Sequence, residues 1–308
     1  MNSFRGILLT LISALLFAAM STLVRYVGQE FPVGQVVFFR SAFAIVPVVL
    51  VYALRGELLL AVRTRRPLGH VGRGMFSIGG MFLNFASLAR LPVVDATAFS
   101  FSSPLITVAL SAIFLKERVR LYRWSAVIVG FAGVIVMLWP HLDLGRFSGP
   151  VLGATALGAV FAILSAFFNS GAVIQTRRLT DTETTPSIVF YFSLICALAG
   201  LVTLPLGWKQ PDMLQFAALA GTGVLGGVAH LLVTESYRHA SASLVAPFGY
   251  TAILWAFVFG YLMFDEMPVP LVFVGAAIVA GAGLFVIFRE RQLGLRRKRE
   301  AEGPPAGT

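Results

Sequence analysis

The chain has 308 residues, 57% of them apolar and only 12% charged, with a formal charge of +10 and a mean hydropathy of +0.85. A soluble domain carries roughly 25% charged residues, so this composition excludes one and points to a polytopic membrane protein. The basic residues lie in gaps between apolar runs, which excludes a nucleic-acid partner, and the single cysteine, Cys196, excludes a disulfide framework or a cysteine metal site.

At about 20 residues per crossing, the apolar runs predict helices over 6–27, 33–54, 72–88, 96–115 and 123–139. A polar gap at 141–150 follows, and five more helices are expected over 151–174, 187–206, 213–234, 244–264 and 269–288. The first run follows Arg5, but it is too long for the apolar region of a cleavable signal, so it is read as a span. The expected organisation is a first repeat over 1–145, a second over 146–290 and a basic tail over 291–308.

The first basic connection, between the second and third helices, holds Arg55, Arg63, Arg65, Arg66 and Arg73. Other even-numbered connections and both ends are also basic, whereas the alternate ones hold only Arg25, Arg90, Arg146 and Lys209, and Arg40 alone sits inside a span. The positive-inside rule then places both termini in the cytoplasm. Arg289, Arg291, Arg296, Arg297, Lys298 and Arg299 in the tail suit an anchor against anionic lipid.

The two halves repeat. Residues 89–117 lie over 238–266 at a constant offset of 149, and Pro32 and Phe38 lie over Pro186 and Phe192 at an offset of 154. Each half has an odd number of crossings, so the second must be inverted relative to the first. The expected fold is therefore all-α, a polytopic membrane protein with ten transmembrane helices as two inverted five-helix repeats. Inverted repeats are characteristic of secondary transporters, whose site lies near the midplane at the repeat interface.

The ordered set Phe38-Phe39-Arg40-Ser41, Leu91-Pro92-Val93-Val94-Asp95-Ala96, Ser103-Pro104-Leu105, Leu115-Lys116-Glu117-Arg118-Val119, Arg123-Trp124 and Val129-Gly130-Phe131-Ala132-Gly133-Val134 resembles the drug/metabolite transporter superfamily, specifically its EamA-type ten-helix permeases. The second repeat departs from that pattern, with Phe264-Asp265-Glu266-Met267-Pro268 and with Leu194 where Arg40 would recur. Within the superfamily, His70-Val71-Gly72-Arg73-Gly74 and Ala246-Pro247-Phe248-Gly249-Tyr250 are similar to bacterial permeases for S-adenosylmethionine and, less closely, riboflavin. The resemblance implies a permease of the bacterial inner membrane that moves a small polar metabolite, S-adenosylmethionine or another amino-acid- or nucleoside-like compound, by alternating access.

Arg40 is the most informative single residue, because a charge inside a span costs roughly 2.5–3.5 kcal/mol on insertion scales. It either clamps a substrate carboxylate, or snorkels to the interface and satisfies backbone carbonyls. Ser100, Ser103, Thr107 and Ser111 share one helical face beside Pro104, which suits either a pathway lining or close helix packing. Ser243, Pro247, Tyr250 and Thr251 make a similar stripe. Phe38, Phe192, Tyr250 and Trp255 are candidates to stack a planar or cationic ligand. Asn84 and Asn169 offer amide hydrogen bonds to substrate or between helices.

For proton coupling the candidates are Asp95, His230 and Glu235. Asp95 also suits an N-cap, and Glu235 also suits a pair with Arg238. Lys116-Glu117 and Asp265-Glu266 recur as a structural turn. Gly130, Gly133, Gly275, Gly281 and Gly283 give narrow helix faces for close packing or a dimer contact, so the chain is expected as a monomer or a homodimer. No cofactor and no metal are called for. The rivals are a lipid-intermediate flippase on the same fold and an integral-membrane lipid-modifying enzyme. The enzyme lacks paired carboxylates, a histidine cluster or a nucleophile with a base.

Overall fold

In hydrocarbon every backbone N–H and C=O must be satisfied within its own segment, so apolar runs fold as helices. The computed structural model describes residues 3–114, 121–142, 150–179, 182–239 and 248–301, and among these only helices and turns occur. The chain forms α1 (Ser3–Val27), α2 (Val33–Leu54), a short α3 (Leu58–Val62), α4 (Pro67–Leu88), α5 (Val93–Ser100) and α6 (Ser103–Phe114). Then follow α7 (Leu121–Leu142), α8 (Pro150–Leu179), α9 (Thr185–Val202), α10 (Met213–His239), α11 (Ala252–Phe264) and α12 (Pro270–Ala301). With α5 and α6 counted as one crossing and α3 as a connection, these make ten crossings. Both chain ends therefore reach one side, which we call the terminal face; the other is the distal face.

Six crossings are long and apolar enough to span by themselves, and Trp124–Pro140, Pro186–Val202 and Ala252–Phe264 are shorter apolar helices. The remaining crossing, α4, carries His70, Arg73 and Asn84. It begins at Pro67 instead of 72, so Arg73, at the edge of the expected span and counted with the connection, lies well inside the helix, and Arg40 is not the only charge within a span. The fourth crossing breaks after Ser100: Pro104 has no N–H for the Ser100 carbonyl, and the Ser102 hydroxyl donates to the Phe99 carbonyl at 2.6 Å. α9 stops at Val202, short of 206, where Pro205 and the left-handed Gly207 (φ 91°) turn the chain. α12 runs well past 288 and makes the start of the basic tail helical. Lys116, Glu117, Ser243 and Pro247 lie outside the described residues.

The packing follows the repeat. α1 packs on α10 and α4 on α8, while α2 pairs with α9, α5 with α11 and α7 with α12. Exchanging the halves turns the first pair into the second and returns each of the last three to itself, as a pseudo-twofold axis requires. At the α7–α12 contact a Cβ on Gly275 would come 2.5 Å from the Gly133 carbonyl oxygen, and one on Gly133 would come 2.9 Å from that of Gly275. Only glycine permits that approach, so these two narrow faces serve packing within the chain.

Two polar clasps join the repeats at opposite ends. On the distal face Arg25 donates to Glu266 Oε1 through Nε (3.1 Å) and Nη2 (2.8 Å), and to the Leu88 carbonyl through Nη1 (3.0 Å). Glu266 Oε2 accepts from the Val93 amide at 3.1 Å, which satisfies an orphan donor of the first turn of α5. The turn that presents Glu266 depends on Asp265, whose φ of 53° is one that Asp tolerates better than most residues.

On the terminal face Glu183, in the α8–α9 turn, accepts from the amides of Arg65 and Arg66 (both 2.7 Å) and from the Thr64 hydroxyl (3.0 Å). Its Oε2 is 3.6 Å from His70 Nε2. Burial pushes the Glu183 carboxyl up, but the two amides, the Thr64 hydroxyl and His70 together hold it below the usual carboxylate value.

A carboxyl held low in the folded state contributes stability that is complete above its unfolded pKa and is lost as pH falls through the lowered value. Glu183→Gln is therefore expected to cost on the order of 2 kcal/mol at neutral pH, with the gap in melting temperature to wild type closing below the carboxylate range. For the inversion itself, reporter fusions after Leu142 and after Ala301 should report opposite sides of the membrane.

Candidate functional site

Arg40 enters the bundle about 10 Å from the distal end of α2, at 1.5 Å per residue. It passes Gly226 of α10, where a Cβ would come 3.4 Å from its Nε and Nη2 and 2.7 Å from Met20 Sδ. The side chain is 3% exposed, so it does not snorkel. Its Nε and Nη1 are buried and have no hydrogen-bond partner among the described residues. The Arg40 guanidinium carbon lies 5.5 Å from the centre of the Phe192 ring on α9, and that of Arg73, from α4, lies 4.9 Å from the same centre. Arg73 differs from Arg40 in being satisfied: its Nε donates to the Thr176 hydroxyl (2.6 Å) and its Nη1 to the Ile188 carbonyl (2.8 Å).

His230 stands edge-on to Phe192 (6.2 Å) and to Phe17 of α1 (4.9 Å), so Phe17, His230 and Phe192 form a file of rings across the bundle. On the terminal side a wedge-shaped cavity of about 950 Å³ is lined by Pro47, Val51 and Tyr52 of α2, Pro186 and Val189 of α9, and Val228, Leu231 and Glu235 of α10. Val189 is one turn from Phe192, and Leu231 is next to His230. In the distal half a second cavity of about 230 Å³ is lined by Phe17, Ser21, Asn84, Thr97, Ser100 and Ala252. Phe17, at one end of the ring file, lines this second cavity, and Phe192 and His230 adjoin lining residues of the first.

Arg40, Phe192 and His230 thus come together, and Asn84 and Ser100 share the smaller cavity. His230 is nine residues short of the end of α10, deeper than its expected place near the helix end. Glu235 lines the wedge, and its carboxylate is 3.5 Å from His239 Nε2, one turn on; the side chain of Arg238, its expected partner, lies outside the described residues. Ser103 is drawn into packing: its hydroxyl is 3.2 Å from that of Ser170 on α8, and Thr107 bonds back to the Ser103 carbonyl. Gly80 of α4 packs on Asn169.

The remaining candidates lie apart from the rings of this file. Phe38 sits toward the distal end against Trp208 (5.2 Å) and Phe39. Tyr250 meets Phe101 edge-on at 4.8 Å, beside Gly283. Trp255 is 36% exposed. Asp95 is the buried third residue of α5 and Pro92 holds the cap position, so Asp95 acts in the first turn, where the helix dipole favours a carboxylate, and is not the N-cap.

Arg73 and Phe17 were missed in the sequence. A signal for Arg73 existed: Arg73, Ser77, Gly80 and Asn84 recur at spacings of four, three and four, a helical stripe that begins before the apolar run is strong.

A sequence profile of the EamA-like transporter family matches residues 4–139 and again 156–289. The S-adenosylmethionine uptake transporter of Rickettsia bellii is 28% identical over 92% of this chain and 93% of that protein. The pseudopaline exporter CntI of Pseudomonas aeruginosa is 29% identical over 90% and 94%, and the riboflavin transporter of Vibrio cholerae is 26% identical over 96% and 97%. A solved crystal structure of a chain 19% identical superposes with a TM-score of 0.64, covering 95% of this chain and 99% of that one, and shares the fold.

Proposed function

This chain belongs to the EamA-like transporter family, and from that premise we propose that it is a secondary carrier moving a small polar metabolite across the bacterial inner membrane by alternating access. That it is a transporter and not an enzyme follows from membership. The finer reading rests on Arg40: a buried guanidinium with unanswered donors, placed where α2 of one repeat meets α9 and α10 of the other, is a site for something that arrives and leaves.

In this reading the wedge is the access route from the terminal face. The ring file is the barrier, and the Arg25–Glu266 clasp holds the distal side shut. The small cavity with Asn84 and Ser100 is the continuation of the path that opens when the clasp releases. The basic connections and tail favour cytoplasmic termini even with Arg73 assigned to a helix, so the wedge faces the cytoplasm. S-adenosylmethionine or another amino-acid- or nucleoside-like compound is the substrate class, a reading supported by the names of the relatives. Glu235 in the wedge, His230 in the barrier and Asp95 in the first turn of α5 are the groups placed to exchange protons along this route.

Counterflow in proteoliposomes tests the site. Charge-assisted hydrogen bonds are worth about 1.5–3 kcal/mol, so Arg40→Gln is expected to weaken substrate binding by roughly ten- to hundredfold. Unchanged counterflow and affinity in that variant would remove Arg40 from the site.

A further inference from the structure

We propose that this site recognises its substrate by an oxyanion: a carboxylate or its equivalent, including the carboxylate of an amino-acid-like compound that also carries positive charge, is seated on Arg40, and the substrate's cationic groups are kept away from the Phe192 ring. The inference rests on the central-site reading above and adds the group by which the substrate is held. Two guanidiniums lie over one ring in the interior, and no described carboxylate lies within ion-pair distance of either. The acids that do pair are spent elsewhere: Glu266 on Arg25, Glu183 on His70, and Glu235 on His239. Arg73 is answered by two neutral oxygens, which satisfy its donors and leave its charge in place. Among the described residues, nothing answers the charge of Arg40 or its Nε and Nη1 donors.

In low-dielectric surroundings both charges act at full reach on whatever enters. A carboxylate accepts only, is planar and matches a guanidinium fork, so it supplies the missing acceptors and the missing charge together. A cation meets the opposite conditions. An aromatic face attracts a cation through its quadrupole, but the Phe192 ring already has two protein cations over it, at 5.5 and 4.9 Å. A ring on the substrate has other walls available, with Phe17 and His230 edge-on to each other beside the wedge and the small cavity.

The test uses three probes that share one ring and differ in charge: phenylacetate, phenylacetamide and phenethylammonium, at matched concentration and ionic strength. Melting of the purified full-length chain in detergent is followed for wild type and Arg40→Gln, since a ligand of the folded state raises the apparent melting temperature. Phenylacetate should raise that of wild type by a few degrees, the other two should not, and Arg40→Gln should lose the response. Ligand-free Arg40→Gln should melt no lower than wild type, because it no longer buries an unanswered charge.

The proposal is overturned if phenylacetate gives no shift, if the amide or the ammonium compound matches it, if the shift persists in Arg40→Gln, or if the ligand-free variant melts well below wild type. Counterflow separates the two readings. Lost counterflow in Arg40→Gln without anion preference removes only the charge assignment, whereas unchanged counterflow removes the central site with it.

Discussion

A guanidinium in an apolar bundle must have its charge and its donors answered, and the way this protein handles three arginines, one buried and two half-buried, organises the rest of its structure. Arg25 uses a donor from each of its three nitrogens, on the Glu266 carboxylate and the Leu88 carbonyl, and in doing so ties the repeats together at the distal end. Arg73 is held by a hydroxyl and a carbonyl from α8 and α9, which fixes the α4 helix against the second repeat. Arg40 is brought to the same ring and left with open donors. The first two hold parts of the scaffold in position. The third is a position that the scaffold holds ready, at the cost of a desolvated charge that better packing elsewhere must offset.

The repeat explains where that position lies, and its departure from symmetry explains what the position does. Phe38 and Phe192 occupy equivalent places in the two halves, yet Phe38 packs against Trp208 near the distal end while Phe192 receives both guanidiniums. The difference traces to Arg40 having Leu194 as its counterpart, so one half supplies the charge and the other the ring. Two identical halves would place two such arginines across the axis and repel each other in a low-dielectric interior. In the proposed reading, the one arginine with open donors among the described residues makes one site per chain.

The crossings were legible because their signal is one of length and apolarity, summed over about 20 residues, and because a polar backbone in hydrocarbon has few alternatives to a helix. The ends were less so. α4 begins five residues earlier than its apolar run, because one face of the helix turns His70 and Arg73 toward its neighbours while Leu68, Val71 and Met75 stay exposed on the other. α9 ends at Val202 because Pro205 and Gly207 turn a chain that is still apolar. The hydroxyl stripe at Ser100, Ser103 and Thr107 was legible as a stripe, but its use was not: the break between α5 and α6 separates Ser100, which lines a cavity, from Ser103, which bonds Ser170.

From the sequence alone came the crossings, the inverted repeat, the family resemblance and the singular status of Arg40, since each depends on what a residue is and how far it lies from the next. Partners were decided only in three dimensions. That Arg73 joins Arg40 over Phe192, that Glu235 meets His239, that Glu266 clasps Arg25, and that Phe38 and Trp255 lie apart from the ring file all depend on which helix faces which. The physical reason is that hydropathy is a property of a segment, whereas satisfaction of a buried charge is a property of a pair, and the members of these pairs often lie more than a hundred residues apart.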